Sequence, residues 1–239
     1  MSPCTLVLIP GLMCDAAVWQ PQLGALAALG QTEVAEHGLA ADLGVMAEQI
    51  LAAHPGPLAV AGHSMGGRVA LEVLRRAPQR VRGLALLDTG SRALPSGPDG
   101  ERERAGRMGV VAQARREGLG AAAAAWLAGM IHPRRLGEQP LREAIIQMWE
   151  RRTLAHLSAQ MQALLARADA AALLPGVAVP ALVLCGAEDL SAPIRQHQEM
   201  AALLPNSEFV PVADCGHMCT LEQSEIVAAA LARWFSRLA

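Results

Sequence analysis

Ser64, Asp189 and His217 have the side chains of nucleophilic acyl transfer and follow one another in that order along the chain. A serine hydroxyl is a weak nucleophile until a base takes its proton, and the base works only when a third group fixes its tautomer. Ser64 stands in Gly62-His63-Ser64-Met65-Gly66-Gly67, after the apolar run 58–61 and before a stretch of helical periodicity. This is the G-x-S-x-G pattern in the strand-turn-helix setting it requires. So sharp a turn holds its serine in a strained conformation with φ above zero, and side chains at 62 and 66 would clash, hence the glycines. The turn also aims the first amides of the following helix, starting with Met65 N–H, at charge developing beside the serine.

A base and an orienting acid must come from other strand ends of the same sheet. Asp189 follows the apolar run 180–185 and closes Gly186-Ala187-Glu188-Asp189, while His217 lies in a loop just past the predicted strand 208–212. Asp88 also ends a strand, 81–87, and stands as the alternative orienting group. Asp214 is too near His217 in sequence to be the favoured partner, and Glu188 reads as exposed. His63 reads as a packing residue of the turn, and His37, His54, His156 and His197 as solvated. His132 precedes Pro133 at a helix end, with lining a substrate pocket as its second reading. The loop Pro10-Gly11-Leu12-Met13 supplies the other oxyanion donor: Gly11 lets the backbone turn inward and presents Leu12 N–H opposite Met65 N–H.

These residues need a scaffold, and the apolar pattern supplies one. Runs at 5–9, 32–35, 58–61, 81–87, 180–185 and 208–212 read as strands. Those buried on both faces alternate with amphipathic helices, the arrangement of a parallel α/β sheet. Asp15 and Asp42 are placed to cap helices, and Thr220 with Gln223 spells a capping box for the last one. From 92 to 174 there is no strand signal, only helical stretches at 101–117, 119–130, 141–151 and 154–167. We therefore expect a core formed by 1–91 and 175–239, and a helical lid formed by 92–174 over the strand C-termini where such sheets bind ligands.

The 239 residues suit a single core of this kind, and 52% are hydrophobic, enough to bury it. All twenty cationic residues are arginine and the net charge is −2, which gives no electrostatic case for nucleic acid or an acidic membrane as partner. No apolar run approaches a membrane span, the start lacks a signal-peptide pattern, and five scattered cysteines read as reduced thiols, so a cytoplasmic protein is expected. Cys215, His217 and Cys219 lack the distal pair a zinc site would need. No metal or cofactor is expected, only a small-molecule substrate.

The elbow at 62–67, the acid segment 186–189 with Pro193, and the base segment Cys215-Gly216-His217 with Leu221-Glu222-Gln223 resemble the serine α/β-hydrolase superfamily, in its small bacterial esterase-like branch. The resemblance implies an α/β-hydrolase fold, a mostly parallel sheet of about six strands with helices on both faces and an inserted helical lid. It implies a triad of Ser64, His217 and Asp189, with Leu12 and Met65 amides as oxyanion hole. Where such proteins usually carry His-Gly, this chain has Pro10-Gly11. The function expected is hydrolysis of a small or medium carboxylic ester or related acyl bond. The alternative is a lyase or C–C bond hydrolase of the same fold, similar to SHCHC synthase, acting on a carboxylate-bearing substrate. In that enzyme an arginine at a position like that of Arg68 meets the carboxylate. Arg68 is expected to face solvent; turned inward with Arg115, Arg116 or Arg167, it would bind substrate. A non-enzymatic ligand-binding protein with a relict triad is the third reading.

Overall fold

The computed structural model describes residues 4–238. The strand runs form six parallel strands: β1 (Thr5–Ile9), β2 (Thr32–Val34), β3 (Leu58–His63), β4 (Val81–Leu87), β5 (Ala181–Gly186) and β6 (Ser207–Val212), in the spatial order β2-β1-β3-β4-β5-β6. Alternate residues of each central strand serve different layers. Val7, Val60, Leu86 and Val183 pack into one apolar cluster, and Leu8, Ala61, Ala85 and Leu184 into the other. A strand apolar at every position is what two covered faces demand.

The helices follow in chain order as α1 (Gln20–Ala27), α2 (Leu43–Ala53), α3 (Met65–Arg76), α4 (Pro98–Glu117), α5 (Leu119–Leu127), α6 (Gln139–Glu150), α7 (Leu154–Leu165), α8 (Ile194–Leu203), α9 (Cys219–Glu222) and α10 (Ser224–Ser236). α2 packs on α3 on one side of the sheet and α1 on α10 on the other. Asp42 caps α2 by accepting from Val45 N–H (3.0 Å), and Asp15 caps the short turn before α1 through Ala17 N–H (2.9 Å).

The capping box at Thr220 does not form. Thr220 lies inside α9, and the chain bends at Gln223 (φ −133°, ψ 50°) before α10 begins. Gln223 Nε2 instead donates to Ala213 O and Asp214 O, both at 3.2 Å, which ties the loop before His217 to this bend.

The four helices α4–α7 lie between β4 and β5 in sequence; α5 packs against α4 and α6, and α4 against α7. Trp126 of α5 and Trp149 of α6 meet with ring centroids 5.4 Å apart and tilted by 48°, joining these helices through their largest side chains. No helix among the described residues is long and apolar enough to cross a membrane.

Candidate active site

β3 ends in Gly62-His63, and the chain reverses into α3 within one residue. That residue is Ser64, held at φ 55° and ψ −118°. Such a conformation persists only where the surroundings over-determine it. Ser64 N–H donates to Leu87 O (2.8 Å), and Thr89 Oγ1 donates to Ser64 O (2.7 Å), so the end of β4 grips the turn on both sides. The glycines have steric causes: a Cβ on Gly62 would lie 2.2 Å from Gly66 O, and one on Gly66 2.0 Å from Ile9 O.

His217 Nε2 is 2.8 Å from Ser64 Oγ, and its Nδ1 is 2.7 Å from Asp189 Oδ2. An ionised carboxylate only accepts, so the proton on Nδ1 points to Asp189 and leaves Nε2 free to accept from the serine hydroxyl. Asp189 is aimed by its other oxygen, which accepts from Ser191 N–H (2.8 Å) and Ala192 N–H (2.9 Å). The three expected residues therefore form one hydrogen-bonded line at the C-terminal rim of the sheet.

Asp88, the alternative orienting acid, sits elsewhere. Fully buried, it accepts from Gly186 N–H (2.9 Å) and Cys219 N–H (3.1 Å) and lies 3.6 Å from His63 Nε2. His63 in turn donates from Nε2 to the backbone carbonyl of His217 (2.7 Å), so it does more than pack. Burial alone would lower the pKa of His63, but the buried charge of Asp88 at 3.6 Å, with Cys14 beside the ring, raises it to about 10. Burial likewise opposes the charge on Asp88, yet His63 holds its pKa below the usual carboxylate value. A buried ion pair thus lies behind the Ser-His-Asp line and fastens the elbow, the end of β5 and the His217 loop together.

Glu222 makes a second clamp. It accepts from His132 N–H (2.7 Å), Gly216 N–H (3.1 Å) and Met218 N–H (3.0 Å), and His217 N–H donates to Met130 O (2.6 Å). The loop bearing the base is thereby bound to the segment after α5.

Leu12 and Met65 line the same cavity as Ser64. Gly11 is needed there because a Cβ would meet His63 Nδ1 at 3.0 Å and Ser64 Cβ at 3.1 Å. Met13 takes φ 57°, and its N–H donates to Oε1 of Gln160, a buried residue of α7, at 2.7 Å. His37 Nε2–H donates to Pro10 O (2.9 Å) on the other side of the loop.

Several polar side chains differ from expectation. His37 and His197 are buried, not solvated, and burial lowers the pKa of both. His197 accepts from Thr89 N–H (2.9 Å), and His156 forms a capping box with Thr153 at the start of α7. His132 does not line the cavity; its Nδ1 accepts from Arg134 N–H (3.2 Å) in a local turn. Arg68, expected in solvent, is half-buried and lines the cavity with Ser64. Of the three arginines expected as its neighbours, Arg167 is one, while Arg115 and Arg116 lie elsewhere; Arg107 and Glu103 of α4 complete the group. Nothing in the sequence between 98 and 117 distinguishes Arg107 from the six other arginines and glutamates on that charged helix that stay outside the cavity. Among the described residues no group of three His, Cys, Asp or Glu side chains is disposed to hold a metal, and burial keeps Cys215 and Cys219 as thiols.

The cavity is about 300 Å³, walled by Leu12, Val110, Trp126, Met130, Met161 and Leu164 and floored by Ser64 and His217. A parallel sheet carrying a strained serine between β3 and α3 defines the class: the chain belongs to the α/β-hydrolase fold family, whose model matches residues 27–223, and it is a hydrolase. Among proteins it resembles is "Putative carbamate hydrolase RutD" of Yersinia enterocolitica, 28% identical, with 92% of this chain and 83% of that protein covered. The protein of the same name from Serratia proteamaculans is 27% identical, with 96% and 90% covered. A thermophilic esterase from Thermogutta terrifontis, solved with malate bound, superposes with a TM-score of 0.86 at 28% identity, over 98% of this chain and 90% of that one. The enol-lactonase from Burkholderia xenovorans shares the fold at a TM-score of 0.82 and 23% identity, over 99% and 92% of the two chains.

Proposed function

We propose that the protein is a serine hydrolase of small or medium carboxylic esters or related acyl bonds, working through an acyl-enzyme on Ser64. The observation that carries this is the unbroken hydrogen-bonded line from Ser64 Oγ through His217 to Asp189. Ser64 attacks the carbonyl carbon as His217 Nε2 takes its proton. The resulting imidazolium is stabilised by Asp189, and the same proton passes to the leaving alcohol. Water then repeats the sequence on the acyl-enzyme. The Leu12 and Met65 N–H groups hold the oxyanion, each worth about 2.7–4 kcal/mol of transition-state stabilisation. The segment 92–174 acts as the lid, since its helices wall the cavity above Ser64. A lyase or C–C bond hydrolase would use the same three residues, but the relatives named as hydrolases and an esterase favour acyl transfer.

An alkyl fluorophosphonate tests this reading directly. Stoichiometric labelling of the native protein at Ser64, with none in Ser64→Ala and hydrolysis of p-nitrophenyl butyrate by the unlabelled enzyme, is the expected result. A folded protein that neither takes the label nor cleaves esters would make the triad a relict.

Gln160 provides a subtler check. Its replacement by alanine leaves Met13 N–H buried without an acceptor, for an expected loss of about 1–3 kcal/mol in urea denaturation. The loop carrying Leu12 N–H then loses its hold from α7, so kcat should fall on the order of tenfold while KM changes less. An unchanged kcat would mean that the oxyanion donor is positioned without α7.

A further inference from the structure

Of the described residues that line the Ser64 cavity, three are exposed: Gly106 of α4, Ser191 in the loop after β5, and Gln196 of α8. They mark its mouth. Leu12, Met161 and Leu164, all buried, line the inner part alone and close it with apolar side chains. Outside the mouth a second hollow of about 490 Å³ adjoins the first, and the two share Glu103, Arg107, Ser191 and Gln196. The site therefore has an apolar inner chamber and a polar outer one.

The residues at the mouth are unusual for their positions. Gly106 lies inside the 20-residue α4, where glycine is among the poorest helix formers, yet a Cβ there would meet no atom within 4 Å. No packing contact demands the glycine; what it leaves is a wider opening. Ser191 and Gln196 bond to the protein through their backbone N–H groups, to Asp189 Oδ1 and Pro193 O, both at 2.8 Å. Ser91, in the outer hollow, does so through its backbone carbonyl, which accepts from Ala170 N–H at 2.7 Å. The side chains of all three have no protein hydrogen-bond partner among the described residues. The amide of Gln196 reaches over Gly90, a buried residue of the Ser64 cavity, since a Cβ on Gly90 would lie 2.8 Å from its Oε1. Charged groups in the shared wall bond to one another instead: Glu103 accepts from Arg167 Nη1 and Nη2 at 2.7 and 2.8 Å and from Arg107 Nε at 2.9 Å. Free hydroxyl and amide groups both donate and accept, which matches a ligand that does both.

The order of events in acyl transfer then orients the substrate. The alcohol departs before water attacks the acyl-enzyme, so the group that leaves first must lie outermost. An alcohol in the closed end would be shut in behind the acyl group. We propose that the inner chamber takes an unsubstituted hydrocarbon acyl group, and that the outer hollow is an alcohol subsite for a neutral, hydroxyl-bearing group. Gln196, Ser191 and Ser91 bond its hydroxyls, and it crosses α4 at Gly106. The inference rests on acyl transfer at Ser64 for its orientation, whereas the recognition of hydroxyl groups is read separately by binding.

In the first experiment, acid release is followed for two ester series. With ethanol as the fixed alcohol, kcat/KM should rise about fourfold per acyl methylene and fall once the inner chamber is full. With butyrate as the fixed acid, 1-glyceryl butyrate should be preferred to n-propyl butyrate about tenfold, and Gln196→Ala or Ser191→Ala should each cut that preference about fivefold, the weight of one hydrogen bond. Gly106→Trp should lower the ratio of kcat/KM for glyceryl over methyl butyrate at least tenfold, while Gly106→Ala raises the folding equilibrium constant about two- to fivefold. Equal treatment of glyceryl and propyl butyrate by the native enzyme, or a Gly106→Trp enzyme that loses all esters in proportion, overturns the proposal and leaves Ser64 as nucleophile.

In the second, 1-glyceryl butyrate and n-propyl butyrate are titrated calorimetrically into Ser64→Ala, where nothing turns over. The glyceryl ester should bind about tenfold tighter, and adding Gln196→Ala should remove most of the difference. Equal affinities would overturn the alcohol subsite whatever the chemistry at Ser64, and a native protein that cleaves no ester but keeps the difference in binding would overturn acyl transfer alone.

Discussion

Replacing Ser64 with alanine is expected to lower kcat for ester hydrolysis by about 10⁶-fold, and His217→Ala by a similar factor. The two groups act as one unit, because the hydroxyl becomes a nucleophile only as Nε2 accepts its proton across 2.8 Å. The double variant should therefore be little worse than either single one. Asp189→Asn should cost about 10⁴-fold for a different reason. The Oδ1 of residue 189 already receives two backbone N–H groups. An asparagine keeps its oxygen there and turns its amide NH₂ toward His217 Nδ1, which forces the proton onto Nε2, where it opposes the serine hydroxyl. Burst and steady-state rates on p-nitrophenyl butyrate check all four variants. An Asp189→Asn enzyme within tenfold of the native rate would transfer the orienting role to Asp88.

Removing Asp88 is expected to damage stability more than any other single polar change, by about 3–5 kcal/mol for Asp88→Ala. The loss leaves Gly186 N–H and Cys219 N–H without an acceptor and His63 as a charge buried alone. Asp88→Asn should recover little, since its NH₂ must face one of those two donors. The effect carries a pH signature. His63 has its folded pKa raised from 6.5 to about 10, so its contribution is complete below pH 6.5 and disappears as the pH climbs to about 10. Asp88 is shifted downward, so its contribution is complete above its ordinary value of 3.8 and disappears only as the pH falls through its lower folded value. The difference in urea midpoint between native protein and Asp88→Ala should be greatest near pH 5–6 and shrink toward pH 10. A difference that is flat across that range would mean that His63 is not held as a cation.

Much of this molecule was written locally. The four- to seven-residue apolar runs became β1, β3, β4 and β5 because the length of a strand that is covered on both faces must be apolar. The Gly62-x-Ser64-x-Gly66 turn was legible because its geometry leaves no space for a Cβ at either glycine. Asp189 and His217 were legible because loops after parallel strands converge on one rim, wherever in the chain those strands occur. Local pattern reached its limit at Thr220, where a well-spelled capping box gave way to a separate short helix α9.

What the sequence alone determined is therefore the sheet and the elbow, since each depends on neighbours within a few residues, together with the placing of Asp189 and His217 in loops that follow strands. Tertiary structure alone decided the surroundings. Gln160 bonds a backbone amide 147 residues away, His63 stands over the carbonyl of His217 at a separation of 154, and Arg167 meets Glu103 at 64. It also buried His37 and His197 and turned Arg68 inward. A long-range partner leaves no periodicity or turn chemistry in the chain, because its choice is made by packing, once hydrophobic burial has brought distant segments together and every buried donor must find an acceptor.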